Sequence, residues 1–148
     1  MKILIELPTW LGDTLMATPA IENLINFFTD PEVTLIGSNV SINVLKNHPK
    51  VIKIFTLDKK SINFLKTLNK LEEFDIYISF RGSLRSKLIK FWISANKKYQ
   101  FDRKKYNIGH QVEKYNHFVE KSLDFCSPPG NLILYSEGEL NHGILSLL

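Results

Sequence analysis

Along the chain, short apolar runs with the composition of buried strands alternate with stretches whose apolar positions recur every three or four residues. That alternation predicts βαβ units, in which helices cover both faces of a parallel sheet. Residues 2–7 (KILIEL) are the first run, and a parallel strand buried on both faces reads as such a continuous apolar segment. Pro8 ends it, because proline offers no N–H to a sheet ladder. Trp10, Leu11 and Gly12 read as a tight connection, with Asp13 at the mouth of a helix between residues 13 and 28. The apolar face of that helix carries Met16, Ala20, Leu24 and Phe27. Pro19 falls inside the span, so the helix either kinks there or begins only at Thr18, with Thr18 as its cap.

Further strands are predicted at residues 33–36, 51–55, 75–80 and 97–101, and further helices at 40–47, 60–71, 83–93 and 110–125. Ile62, Leu65 and Leu68 are expected on the buried side of the third helix, and Val112, Tyr115, Val119 and Leu123 on that of the last. Ser127-Pro128-Pro129-Gly130 reads as a turn or a linker. Beyond it only residues 131–135 have a strand-like pattern, and residues 136–148 show no clear element. The expected fold is an α/β, doubly wound parallel sheet, Rossmann-like, over residues 1–130. Residues 131–148 are then a poorly specified tail or the start of an interdomain segment.

Composition narrows the class. With 44% hydrophobic and 23% charged residues, the 148-residue chain has the makeup of an ordinary globular domain with a real core. No apolar run approaches the roughly 18 residues that span a bilayer. Met1 leads straight into a strand without the pattern of a signal peptide, so a cytoplasmic location is expected. Cys126 is the single cysteine, which excludes an internal disulfide and a cysteine-based metal cluster. His48, His110, His117 and His142 lack metal-ligand spacing, so no metal site is expected. The net charge of +4 hides an asymmetry: residues 81–105 hold nine lysines and arginines against one acid, Asp102, so the remainder is net acidic. Such a stretch calls for an anionic partner or is a solvated helix face with a basic loop.

In an open α/β sheet, ligands are met outside the carboxyl ends of the strands. Asp13 lies at such an end, where a carboxylate is either a helix cap or a general base toward a hydroxyl. Both readings stand on spacing alone. The dinucleotide fingerprint G-x-G-x-x-G and the Walker-type G-x-x-x-x-G-K-S/T run are both absent, so no nicotinamide, flavin or other cofactor is expected. Arg81 and Arg85 follow the fourth strand and belong at the same sheet edge as Asp13. With Ser83 and the backbone amides of a helix start, they suit a phosphate or carboxylate, unless they are surface arginines with no ligand. Arg103, Lys104, Lys105 and His110 form a third group, in which a histidine at a helix start is more often structural than catalytic. Trp10 is a sugar-stacking platform or a packing residue. The basic stretch has only Phe91, Trp92, Tyr99 and Phe101 for stacking and no reading motif, so nucleic-acid binding is not expected.

MKILI followed by LPTWLGDTLMATPA, then FDIYISFRGSLRSKL, then GHQVEKYNHFVE, resembles the amino-terminal half of the bacterial ADP-heptose:lipopolysaccharide heptosyltransferases of glycosyltransferase family 9. The P-T-W-L-G-D form is closer to the second heptosyltransferase of the inner-core pathway than to the first, and the likeness covers about residues 1–125. The resemblance implies a GT-B arrangement of two facing Rossmann-like domains, the first receiving a lipopolysaccharide core acceptor and the second holding ADP-heptose. It implies inverting transfer without an obligatory metal, with Asp13 as the base that deprotonates the acceptor hydroxyl. Thr9, Trp10, Leu11 and Gly12 would shape the loop that holds Asp13. Arg81, Ser83, Arg85 and His110 would contact the acceptor and its phosphates or acidic sugars. Contact with the inner face of the inner membrane is in keeping with such an acceptor. The donor-binding half is absent from the 148 residues, so the isolated chain is not expected to turn over. The competing reading is a non-catalytic α/β module that binds an acidic glycolipid or another anion.

Overall fold

A computed structural model describes residues 1–57, 63–135 and 140–141. Ten elements alternate along residues 2–123: β1 (Lys2–Glu6), α1 (Leu11–Phe27), β2 (Glu32–Gly37), α2 (Asn39–Leu45), β3 (Val51–Thr56), α3 (Asn63–Asn69), β4 (Phe74–Ser79), α4 (Leu84–Trp92), β5 (Ala95–Gln100) and α5 (Gln111–Leu123). The five strands form one parallel sheet in the order β3-β2-β1-β4-β5. β1 is central. Its Ile3, Leu4 and Ile5 lie in register with Val33, Thr34 and Leu35 on one side and with Ile76, Tyr77 and Ile78 on the other.

Successive strand residues point to opposite faces, and that alternation sorts the core into two layers. Ile3, Ile5, Leu7, Ile76, Ile78 and Phe80 pack with Ala17, Ile21 and Leu24 of α1, Ile42 and Leu45 of α2, and Tyr115, Phe118 and Val119 of α5. Leu4, Ile36, Phe74 and Tyr77 pack on the other face with Leu68 of α3 and with Ile89 and Ile93 at α4. The chain is therefore doubly wound, and the strand order reverses between β1 and β4. A crevice forms outside the carboxyl ends of the strands at such a switch point.

α1 runs unbroken through Pro19, where the sequence predicted a kink or a fresh start. Proline leaves the carbonyl four residues back without its helical donor. That carbonyl belongs to Leu15, and the Thr18 hydroxyl donates to it at 2.7 Å. The predicted apolar face of α1 holds at Ala20 and Leu24 but not at Phe27, which is 46% exposed. Phe27 lies at the helix end and stacks on Phe125, with ring centroids 4.8 Å apart.

Leu68 is buried as expected. Ile62, the side chain of Leu65, and His142 lie outside the described residues. Residues 133–135 pack onto α1 and α2. The Ile133 N–H donates to Thr18 Oγ1 (3.0 Å), and Tyr135 donates through its hydroxyl to Glu22 (2.6 Å) while its ring meets His48. β6 (Leu134–Tyr135) pairs antiparallel with β7 (Leu140–Asn141). Among the described residues, no helix is long and apolar enough to cross a membrane.

Candidate functional site

The loop leaving β1 is held by side chains from two helices. Thr14 donates through its hydroxyl to the Trp10 carbonyl (2.9 Å), Ser38 to the Thr9 carbonyl (3.0 Å) and Ser41 to the Pro8 carbonyl. Three consecutive carbonyls are thus fixed, which sets the position at which α1 begins. Trp10 is the N-cap of α1, and its side chain makes no cap bond. Asp13 stands one turn further on, in the first turn of the helix. Of the two readings left open for Asp13, the helix cap is thus a position that Trp10 occupies instead.

A cleft of about 780 Å³ opens where the exits of β1, β4 and β5 meet. Thr9, Trp10 and Asp13 line it from the β1 loop, and Arg81, Gly82 and Ser83 from the β4 loop. Lys87 and Lys90 of α4 and Gln100, Asp102, Arg103 and Lys104 after β5 complete the polar lining, over a floor of Phe80, Phe101 and Tyr115. Five cations face two carboxylates, so the cleft is electropositive and suits an anionic ligand. Asp13 is close enough to Tyr115 to be felt: burial first, and then the Asp13 charge, push the Tyr115 hydroxyl up to about 12.

Arg81 is fixed through its backbone, its N–H donating to Ser79 Oγ (3.2 Å) and its carbonyl accepting from Gln100 Nε2 (3.1 Å). A side chain at Gly82 would have its Cβ 3.1 Å from the Phe101 carbonyl oxygen, so glycine lets the β4 loop pass close against β5. Ser83 caps α4 by accepting the Ser86 N–H (3.2 Å).

Under this loop lies Glu6, fully buried at the end of β1 on the α4 face of the sheet. It accepts hydrogen bonds from Tyr77 (3.1 Å), Ser79 (3.0 Å) and Ser86. Burial raises its carboxyl above the ordinary value, while those hydroxyls and the nearby Arg81 charge act the other way. Through Ser79 and Ser86 it ties β1 to the backbone of Arg81 and to the first turn of α4.

Of the residues expected at the site, Thr9, Trp10, Asp13, Arg81 and Ser83 line the one cleft, as do Arg103 and Lys104. Trp10 is 68% exposed where it lines the cleft. Leu11 and Gly12 lie in the first helical turn rather than in a tight connection, and neither lines the cleft. Arg85 is half-buried in the first turn of α4, away from the lining. His110 is the N-cap of α5: its Nδ1 accepts the Val112 N–H (3.3 Å), and its own N–H donates to Glu113 (2.9 Å). Lys87 and Lys90 were read only as members of the basic stretch and Tyr115 only as a core position, while Glu6 and Gln100 were not singled out by sequence. Glu6 carried one signal, a lone carboxylate inside an apolar strand. Among the described residues, no group of three or more His, Cys, Asp or Glu is arranged to hold a metal ion.

Lipooligosaccharide heptosyltransferase 2 of Campylobacter jejuni is 41% identical over an alignment of 127 residues that covers 83% of this chain and 39% of that protein. This chain is similar to heptosyltransferases. The structure of the E. coli heptosyltransferase WaaC with ADP-2-deoxy-2-fluoro heptose superposes with a TM-score of 0.72 at 16% identity, over 89% of this chain and 51% of that one. The family 9 glycosyl transferase from Veillonella parvula superposes with a TM-score of 0.73 at 18% identity, over 90% of this chain and 44% of that one. At those identities the two structures share the fold, and it is the doubly wound fold expected from the sequence. No protein-family model matches the chain. The chain thus spans about half the length of the heptosyltransferase structures and less than half of the curated relative.

Proposed function

We propose that this chain is the acceptor side of an inverting heptosyl transfer in lipopolysaccharide core assembly. The observation that carries the reading is the shared cleft, in which Asp13 and a cluster of cations meet at the switch point of the sheet. Asp13 acts as general base. It removes the proton from an acceptor heptose hydroxyl as that oxygen attacks the anomeric carbon of ADP-heptose, and the bond to ADP breaks on the opposite side. Arg81, Arg103 and Lys104 hold the phosphates or acidic sugars of the acceptor core through charge-assisted hydrogen bonds. Trp10 offers an exposed ring at the rim for a sugar face. The solved relative carrying an ADP-heptose analogue supports a nucleotide-sugar donor. The group that cradles the diphosphate belongs to a second domain of such enzymes, so the 148 residues alone bind acceptor without turnover. The reaction takes place at the cytoplasmic face of the inner membrane.

Calorimetric titration of the chain with a phosphorylated core oligosaccharide tests this reading. Binding is expected, and Arg81→Ala should weaken it about tenfold or more, the scale of one charge-assisted hydrogen bond lost from a site. Asp13→Asn should leave the affinity nearly unchanged. Absence of binding, equal binding by Arg81→Ala, or clear heptosyl transfer by the isolated chain would each defeat the proposal.

A further inference from the structure

α4 carries its apolar residues on the wrong side for a surface helix. Such a helix normally turns its apolar stripe to the core. Here only Ser86 and Ile89 are buried, while Leu84, Leu88, Phe91 and Trp92 are 80%, 67%, 84% and 54% exposed. At about 100° per residue, those four side chains fall within a single arc about 100° wide, centred almost opposite the buried Ser86. Lys87 borders that arc on one flank and Arg85 on the other. α4 and the neighbouring β5 contain no acidic residue. The basic flank is continuous with the cleft, which Lys87 and Lys90 also line.

We propose that the outward face of α4 docks on an anionic lipid surface. The composition is that of an interfacial helix: a convex apolar stripe sinks into the headgroup boundary while flanking cations meet acidic headgroups. Trp92 sits at the edge of the stripe with its indole N–H donating to Asn69 (3.2 Å), half exposed, where an amphipathic ring suits the boundary between lipid and water. A second copy of the same face fits poorly, because two acid-free faces would bring like charges together. Residues 133–135 pack on α1 and α2, on the other face of the sheet, so that part of the tail does not cover α4. This inference stands on α4 alone and does not depend on sugar transfer.

Flotation of the chain with vesicles of phosphatidylcholine, alone or mixed with phosphatidylglycerol, tests it; neither carries a sugar acceptor. Binding to the anionic vesicles should exceed binding to neutral ones by about tenfold and should fall with salt. Replacing Leu88→Glu together with Phe91→Glu should reduce it by at least about tenfold with an unchanged circular dichroism spectrum, since both side chains are exposed. No binding by the native chain, equal partition to both vesicles, or undiminished binding by the double variant would overturn the proposal. So would a concentration-dependent dimer that the double variant abolishes without any vesicle binding, which would assign the face to a second copy. If the chain floats but a core oligosaccharide fails to bind, the docking surface stands and the acceptor reading falls.

Discussion

Glu6 is the residue on which the cationic side of the cleft rests without being part of its lining. Three hydroxyls, from Tyr77, Ser79 and Ser86, converge on its carboxylate, and two of these connect it to the Arg81 backbone and the start of α4. Glu6→Gln keeps the shape and one of the two acceptor oxygens, which can still serve Ser79 and Ser86, whereas Glu6→Leu leaves all three buried hydroxyls without a partner, at about 1–3 kcal/mol for each one stranded. Because burial raises its carboxyl above the ordinary 4.5, the folded chain binds this proton more tightly than the unfolded chain does. The fold therefore gives up stability as pH climbs from that value through the raised one. Urea unfolding at about pH 4 and about pH 8 should show Glu6→Gln gaining on the native chain at the higher pH, and Glu6→Leu weaker at both. Equal pH dependence of Glu6→Gln and the native chain would contradict this. In sequence, Glu6 is hidden inside an apolar run, whereas Asp13, Arg81 and Ser83 follow strand exits where chemistry is expected. Arg85 was legible as a cation, but it sits inside the first turn of α4 and does not line the cleft, whereas Arg81 lies in the loop before the helix and does.

At the scale of the element, α1 shows how a local rule and its exception coexist. Pro19 predicts a break, and the break is averted by one neighbouring hydroxyl that supplies the donor the Leu15 carbonyl lacks. The same oxygen accepts the Ile133 N–H, so Thr18 also fastens the chain after the last helix. Thr18→Val should cost about 1–3 kcal/mol, the range for a buried partner left unsatisfied, and Thr18→Ser should restore most of it. Chemical denaturation measures both, and a neutral Thr18→Val would show that the helix tolerates Pro19 unaided. Existence and type of the five strands and five helices were readable from period and punctuation. Their ends were not, because helix starts depend on which residue takes the cap: Trp10 rather than Asp13 for α1, and His110 with its reciprocal Glu113 for α5.

Over the whole molecule, the site follows from strand order. β1, β4 and β5 are adjacent, so the loops carrying Asp13, Arg81 and Arg103 open at one edge although they are far apart in sequence. The basic stretch of residues 81–105 is local for the same reason, since β4, α4 and β5 form one continuous unit. Sequence gave no view of Lys87, Lys90 and Gln100 as neighbours of Asp13, because only the folded sheet brings those loops together. Nor does an apolar–polar pattern tell which side of a nine-residue helix faces outward, which is why Leu84, Leu88 and Phe91 stood out only in the structure.

The central claim is that Asp13 meets an acceptor hydroxyl in this cleft as its base. The most direct measurement is steady-state heptosyl transfer by Asp13→Asn in a protein that carries these residues together with a donor-binding domain. The account predicts a fall in kcat of about 10²–10⁴-fold with the acceptor KM little changed. An unchanged kcat, or a loss confined to KM, would contradict it.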